Sequence, residues 1–108
     1  MRIANGVCLL TYVYNIGPLI VEVNENLIKI RNEGNESATI VKLELHYYYT
    51  VRMPDGSLVR RRGSDTVIDH KELKPGEEFS KNFEVKISGF EIIFYYRGEI
   101  IRREVEIS

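Results

Sequence analysis

Short runs of β-branched and aromatic residues recur between turn residues along the chain. No window of eleven or more residues keeps apolar groups at the three- and four-residue spacing of an amphipathic helix. The first run is Val7 to Tyr14, closed by Asn15, Ile16, Gly17 and Pro18. Leu19 to Val23 and Leu27 to Asn32 follow, as one bent strand or as two parted at Asn24, Glu25 and Asn26, and Glu33 to Glu36 form the next turn. The longest run is Ala38 to Val51. There Leu43, Leu45, Tyr47 and Tyr49 alternate with Lys42, Glu44, His46 and Tyr48, which is the period of a half-buried antiparallel strand and predicts Tyr47 and Tyr49 inside with Tyr48 outside. Upstream, Ala38 and Ile40 carry the apolar phase on even numbers and Val41 restores the odd phase, and a β-bulge near Ile40 and Val41 would reconcile the two.

Met53, Pro54, Asp55, Gly56 and Ser57 have the order of a tight turn, because Pro presets its φ and Gly accepts a positive one; they predict a hairpin whose return arm is Leu58 to Arg62. Gly63, Ser64 and Asp65 break that pattern, Thr66 to Asp69 gives a weak strand, and a short helical turn through His70 to Glu72 is compatible with the residues. Leu73 to Glu77 form another turn. Phe79, Phe83, Val85 and Ile87 then share a face, with Lys81 the one charge among them; Phe90 to Tyr96 and Glu99 to Ile107 make a last hairpin around Arg97 and Gly98, with Ile101, Val105 and Ile107 inward.

Seven to nine strands at this spacing, in 108 residues, predict a single all-β domain over residues 1–108, an antiparallel sandwich large enough to hold its own core. Hydrophobic residues at 44% and charged residues at 29% exclude a disordered chain, and a net charge of −1 supplies no global field for nucleic acid or an anionic membrane. Any charged partner is therefore met by a local patch. Apolar stretches of about four residues exclude a membrane helix, which needs ~20, and no basic-then-apolar leader is present. Cys8, within Val7 to Leu10, reads as a small buried hydrophobe. Thirteen Glu against three Asp, with no Gln, is a thermophile-like usage. The residues fix no compartment; a cell-surface setting is the expectation if the chain is part of a longer protein.

Asn32, Gly34 and Ala38, followed some way on by Leu73, Pro75, Gly76, Glu77 and Phe79, resemble the phrases of immunoglobulin-like modules of the bacterial and archaeal cell-adhesion-related type. In those modules a strand ends in Asn-x-Gly and a Leu-x-Pro-Gly-Glu turn leads into a late strand. The second phrase is also similar to the corner before the sixth strand of fibronectin type III domains, and a similar sandwich occurs in archaeal surface-filament proteins. The resemblance covers Leu27 to Ile107 and implies an immunoglobulin-like β-sandwich. It departs from the antibody-like branch at Phe79, where a tyrosine corner carries its hydroxyl, and in having no Trp.

Candidate chemistry is sparse. His46 and His70 have no Cys or carboxylate at a ligand spacing and read as solvated. Ser64, Asp65 and His70 make a hydrolase triad on paper, without a nucleophile elbow or an oxyanion loop. No phosphate loop occurs. The expectation is thus a non-catalytic protein with no cofactor and no metal. What stands out is the contiguous His46 to Tyr49 and the basic hairpin of Arg52, Arg60, Arg61 and Arg62 around Pro54 to Gly56. Tyr48, Arg52, Arg60 and Arg62 are the candidate contact residues. They suit a protein–protein interaction or structural module of a surface, filament or virion assembly, or alternatively a carbohydrate- or nucleic-acid-binding module in which arginines meet phosphates and tyrosines stack. The plainer role of such charges on an edge strand is to prevent sheet-to-sheet aggregation.

Overall fold

Eight strands account for the apolar runs in the computed structural model, which describes residues 11–107. They are β1 (Tyr12–Ile16), β2 (Leu19–Asn24), β3 (Leu27–Asn32), β4 (Ala38–Arg52), β5 (Leu58–Leu73), β6 (Glu78–Asn82), β7 (Gly89–Tyr96) and β8 (Glu99–Glu106). Val7 to Leu10 of the first run, Cys8 with them, lie outside the described residues. The strands form two four-stranded antiparallel sheets in the orders β1-β2-β3-β6 and β5-β4-β7-β8, an all-β, sandwich-like fold. No helix of the described residues is long and apolar enough to cross a membrane.

The core is where the two sheets' apolar faces meet. Val21, Val23, Ile28 and Ile30 supply one side and Ile40, Leu43, Leu45, Phe90, Ile92 and Phe94 the other, all at 3% exposure or less. Tyr14 of β1 reaches across to Phe90 edge-on, with ring centroids 5.6 Å apart at 70°. The bulge that the parity of β4 demands is present: the pairing with β7 steps from Ile40↔Phe94 to Lys42↔Ile93, leaving Val41 over. This extra residue lets Ala38, Ile40, Leu43 and Leu45 all face the core.

One open alternative is resolved and two expectations are corrected. Residues 19–32 are two strands, paired from Leu19↔Asn32 to Asn24↔Leu27. The interval from Gly63 to Glu72 contains neither a break nor a helical turn: β5 runs unbroken to Leu73, because Gly63, Ser64 and Asp65 stay in the ladder opposite Tyr47, His46 and Leu45. A Cβ on Gly63 would stand 2.7 Å from the Tyr47 ring, so the ring covers a backbone that only glycine leaves open. The irregularity is instead spread over β5, as a register shift opposite Leu43 and Glu44 and a φ of 77° at His70. Finally, β6 ends at Asn82. Phe83 and Ile87 turn away to donate their N–H groups to Asn26 O and Glu25 O at the β2–β3 turn, which buries Ile87 and leaves Val85 38% exposed.

One buried polar residue fastens the end of the fold away from the β4–β5 turn. Asn32, fully buried at the end of β3, donates through Nδ2 to Leu73 O (2.8 Å) and Glu36 O (2.9 Å), while its Oδ1 accepts from the Gly34 N–H (2.9 Å). Its own N–H donates to Glu77 O and its carbonyl accepts from the Gly76 N–H. Lys74 to Glu77 form a type II turn, with Pro75 preset, Gly76 at φ 84° and Glu77 N–H donating to Lys74 O at 2.9 Å. Removing the amide leaves the Leu73 carbonyl without its donor, a desolvation cost of about 1–3 kcal/mol in addition to the lost bonds. We expect Asn32→Ala to lower stability by roughly 2–4 kcal/mol, and Asn32→Asp to cost at least as much because a carboxylate cannot donate to two carbonyls. Urea unfolding followed by tyrosine fluorescence measures both.

Candidate functional site

The candidate residues lie on the distal halves of β4 and β5, and the reason is strand length. Pairing of β4 with β7 stops at His46↔Gly89, whereas pairing with β5 continues through Tyr47↔Gly63, Tyr48↔Arg62, Tyr49↔Arg61, Thr50↔Arg60 and Val51↔Val59 to Arg52↔Leu58. Beyond His46 the sheet narrows to a two-stranded arm about 20 Å long, six residues at ~3.4 Å each. Its tip is closed by Met53 N–H donating to Ser57 O and Gly56 N–H to Met53 O, with Asp55 turned inward onto the Ser57 N–H (2.9 Å) and hydroxyl (2.6 Å).

Alternation sorts the arm into two faces. The outer face carries Tyr48, Thr50 and Arg52 beside Leu58, Arg60 and Arg62; the face continuous with the core carries Tyr47, Tyr49 and Val51 beside Val59, Arg61 and Gly63. Tyr49 is 44% exposed, which corrects its expected burial: its parity is right, but the second sheet ends before reaching it. Tyr47 is half-buried over Gly63, its ring 6.3 Å from that of Tyr49. Burial first, and then the Asp65 carboxylate, raise the Tyr47 hydroxyl pKa above its ordinary 10.0.

The four candidates do not form one cluster. Arg60 stacks on Tyr48, its guanidinium carbon 3.9 Å from the ring centroid. Arg52 donates to Gly56 O at 3.4 Å near the tip. Arg62, at the base, donates to His46 Nδ1 at 2.6 Å and reaches Glu106 at 3.4 Å. Because Nδ1 accepts, the His46 proton sits on Nε2, which donates to Glu44 Oε1 at 3.2 Å. His46 is 5% exposed, so its expected solvation is corrected, and His70 is exposed as expected. The sequence signal for this cluster was the outward parity of His46, but nothing local showed that Arg62 and Glu44 would close over it.

The hydrolase triad is not assembled. Ser64 and His70 are six residues apart on β5, about 20 Å along a strand, and Ser64 opposes His46, whose ring nitrogens are both engaged. Open hollows of about 280 Å³ (His46, Arg62, Gly63, Ser64, Glu104) and about 310 Å³ (Tyr47, Asp65, Asn82, Phe83, Glu84, Val85) flank the base of the arm on its two faces. Among the described residues no three His, Cys, Asp or Glu side chains are grouped to hold a metal. What this geometry can do is present arginine and tyrosine on a stiff support. The sequence matches no protein-family model and no curated protein.

The His46 hydrogen bond is the largest influence on Glu44 and holds its carboxyl below the ordinary value of 4.5. A depressed carboxylate contributes stability that is present above its unfolded pKa and lost as pH falls through the folded one. Stability is therefore expected to fall as the pH drops below about 4.5. Glu44→Gln should remove part of that acid slope while leaving the pH 7–8 region flat, as read from urea midpoints across a pH series.

Proposed function

We infer that the chain is a non-catalytic interaction module built on an immunoglobulin-like sandwich, with the arm as its contact element. It serves as a structural unit of a protein assembly of the surface, filament or virion kind. Strand neighbours support the immunoglobulin-like part. With β2, β3 and β6 set as strands A, B and E, and β4, β5, β7 and β8 as C, C′, F and G, the observed orders become A-B-E and C′-C-F-G. β1 is then an added strand outside A, and the Asn32 and Leu73-to-Phe79 phrases fall at the ends of B and before E.

The observation that carries the interaction reading is the open lane beside the arm. In an antiparallel ladder the backbone groups of alternate residues point to opposite neighbours. His46 O accepts from the Ser88 N–H on the β7 side, so Tyr48 and Thr50, two and four residues on, aim their N–H and C=O groups into the same lane, where the ladder has ended. Tyr48 to Val51 are all strong β-formers without charge, while the opposite edge carries Arg60, Arg61 and Arg62. One edge is guarded and the other is open to an added strand.

Sedimentation velocity from micromolar to millimolar protein tests this. Self-association is expected, strengthened by salt because two arms of like charge meet, and abolished by Thr50→Pro, which removes a lane-facing N–H without touching the β5 pairing. A monomer at all concentrations, with no difference between the two proteins, removes self-association as the mode.

A further inference from the structure

Charge is segregated in this fold. Residues 47–63 hold four arginines and one aspartate, a formal +3, against −4 for the rest of the chain, which together make the net −1. Asp55 is spent on Ser57, and among the described residues no carboxylate pairs with Arg52, Arg60 or Arg61; Arg62 alone is engaged, by Glu106. Each of the four arginines is exposed. The basic element is also the one that stands clear of the acidic body, so Glu104 and Glu106 flank only its base.

We propose that the arm binds duplex nucleic acid by laying its outer face into a groove. This rests on the arm being the contact element, and it names the ligand. A two-stranded antiparallel ribbon with both edges free is one of the two backbone shapes that the ~12 Å major groove admits. The outer face offers Arg52, Arg60 and Arg62 with Thr50 and Tyr48, donors suited to phosphates and base edges; Arg61 projects from the other face. A single strand is the poorer fit. Its bases need bare aromatic planes, whereas Tyr48 lies under Arg60 at 3.9 Å and Tyr47 is packed over Gly63. Arg52 and Arg60 are the unpaired guanidiniums of that face, and two phosphate contacts give a slope of about −1.8 in log affinity against log salt.

Fluorescence anisotropy with a fluorescein-labelled, mixed-sequence 20-base-pair DNA duplex, titrated at several salt concentrations, is the test. The intact chain should bind at low salt with that slope. Arg52→Ala/Arg60→Ala should weaken binding at least tenfold and flatten the slope, while Lys71→Ala/Lys74→Ala, which removes equal charge away from the arm, should bind as the parent does. Urea midpoints within error of the parent establish that both variants are folded. Binding that ignores salt, or that survives the arm substitutions, overturns the proposal, as does tighter binding of the single strand or of poly-L-glutamate. Absence of duplex binding with Thr50-dependent self-association intact overturns the nucleic-acid ligand and leaves the interaction module standing. Absence of both overturns the two readings together.

Discussion

The side-chain amide of Asn32 is the point at which the two sheets are tied together. It sits where β3 leaves the first sheet, holds the loop that carries the chain to β4 in the second, and takes the carbonyl at which β5 ends before the chain returns to β6. An apolar side chain could fill the space but could not answer the carbonyl of Leu73, which is buried with its residue and has no water to turn to. Two of the three sheet-to-sheet crossings, β3 to β4 and β5 to β6, are thereby fixed by one residue rather than by packing alone. That leaves the other end of β4 and β5 free to extend without a partner.

That freedom explains the arm. β4 and β5 have 15 and 16 residues, whereas β7 and β8 have 8 each, so roughly the last six residues of β4 are left without a neighbour on the β7 side. A two-stranded ribbon alone is marginal in water, and this one is braced at its base by packing and charge together. Tyr47 covers Gly63 on one face; His46, Arg62, Glu44 and Glu106 lock on the other. Glu91 continues that outer network under Arg102 and Lys42, its charge matched despite 7% exposure.

Local signals made much of this legible in the sequence. The parity of β4 pointed to a bulge near Ile40 and Val41, since a regular period of two does not keep Ile40 and Leu43 on one face. The turn at Pro75 and Gly76 and the hairpin at Pro54 to Gly56 were written in their own residues. What failed were inferences that depend on distant neighbours. Gly63 reads as a breaker until Tyr47, sixteen residues earlier, is seen to cover it, and Tyr49 reads as core until the second sheet is seen to stop short of it. Phe83, Val85 and Ile87 alternate like a strand, yet Asn26 and Glu25 take the N–H groups of Phe83 and Ile87. Of the candidate site, the arginine content was visible and its separation from the acidic body was not, because the distance at which a hairpin stands from its domain is set by the lengths of other strands.

The arginines of β5 have two physical consequences that need not compete. As charges on an edge they resist pairing with a second sheet on that side. Guarding, however, is needed only where backbone groups are open, and along the arm the Tyr48–Thr50 edge is just as open and carries none. A ribbon protected on one edge alone leaves the other open to pairing. Of the unpaired guanidiniums Arg52 lies on the strand that borders that lane and Arg60 and Arg61 lie one strand away, so under the proposed reading an anionic partner would be favoured and a second basic arm disfavoured at low salt. In the proposed reading charge would decide the class of partner and the open backbone the geometry of contact, and in this chain both lie within the same seventeen residues, 47–63.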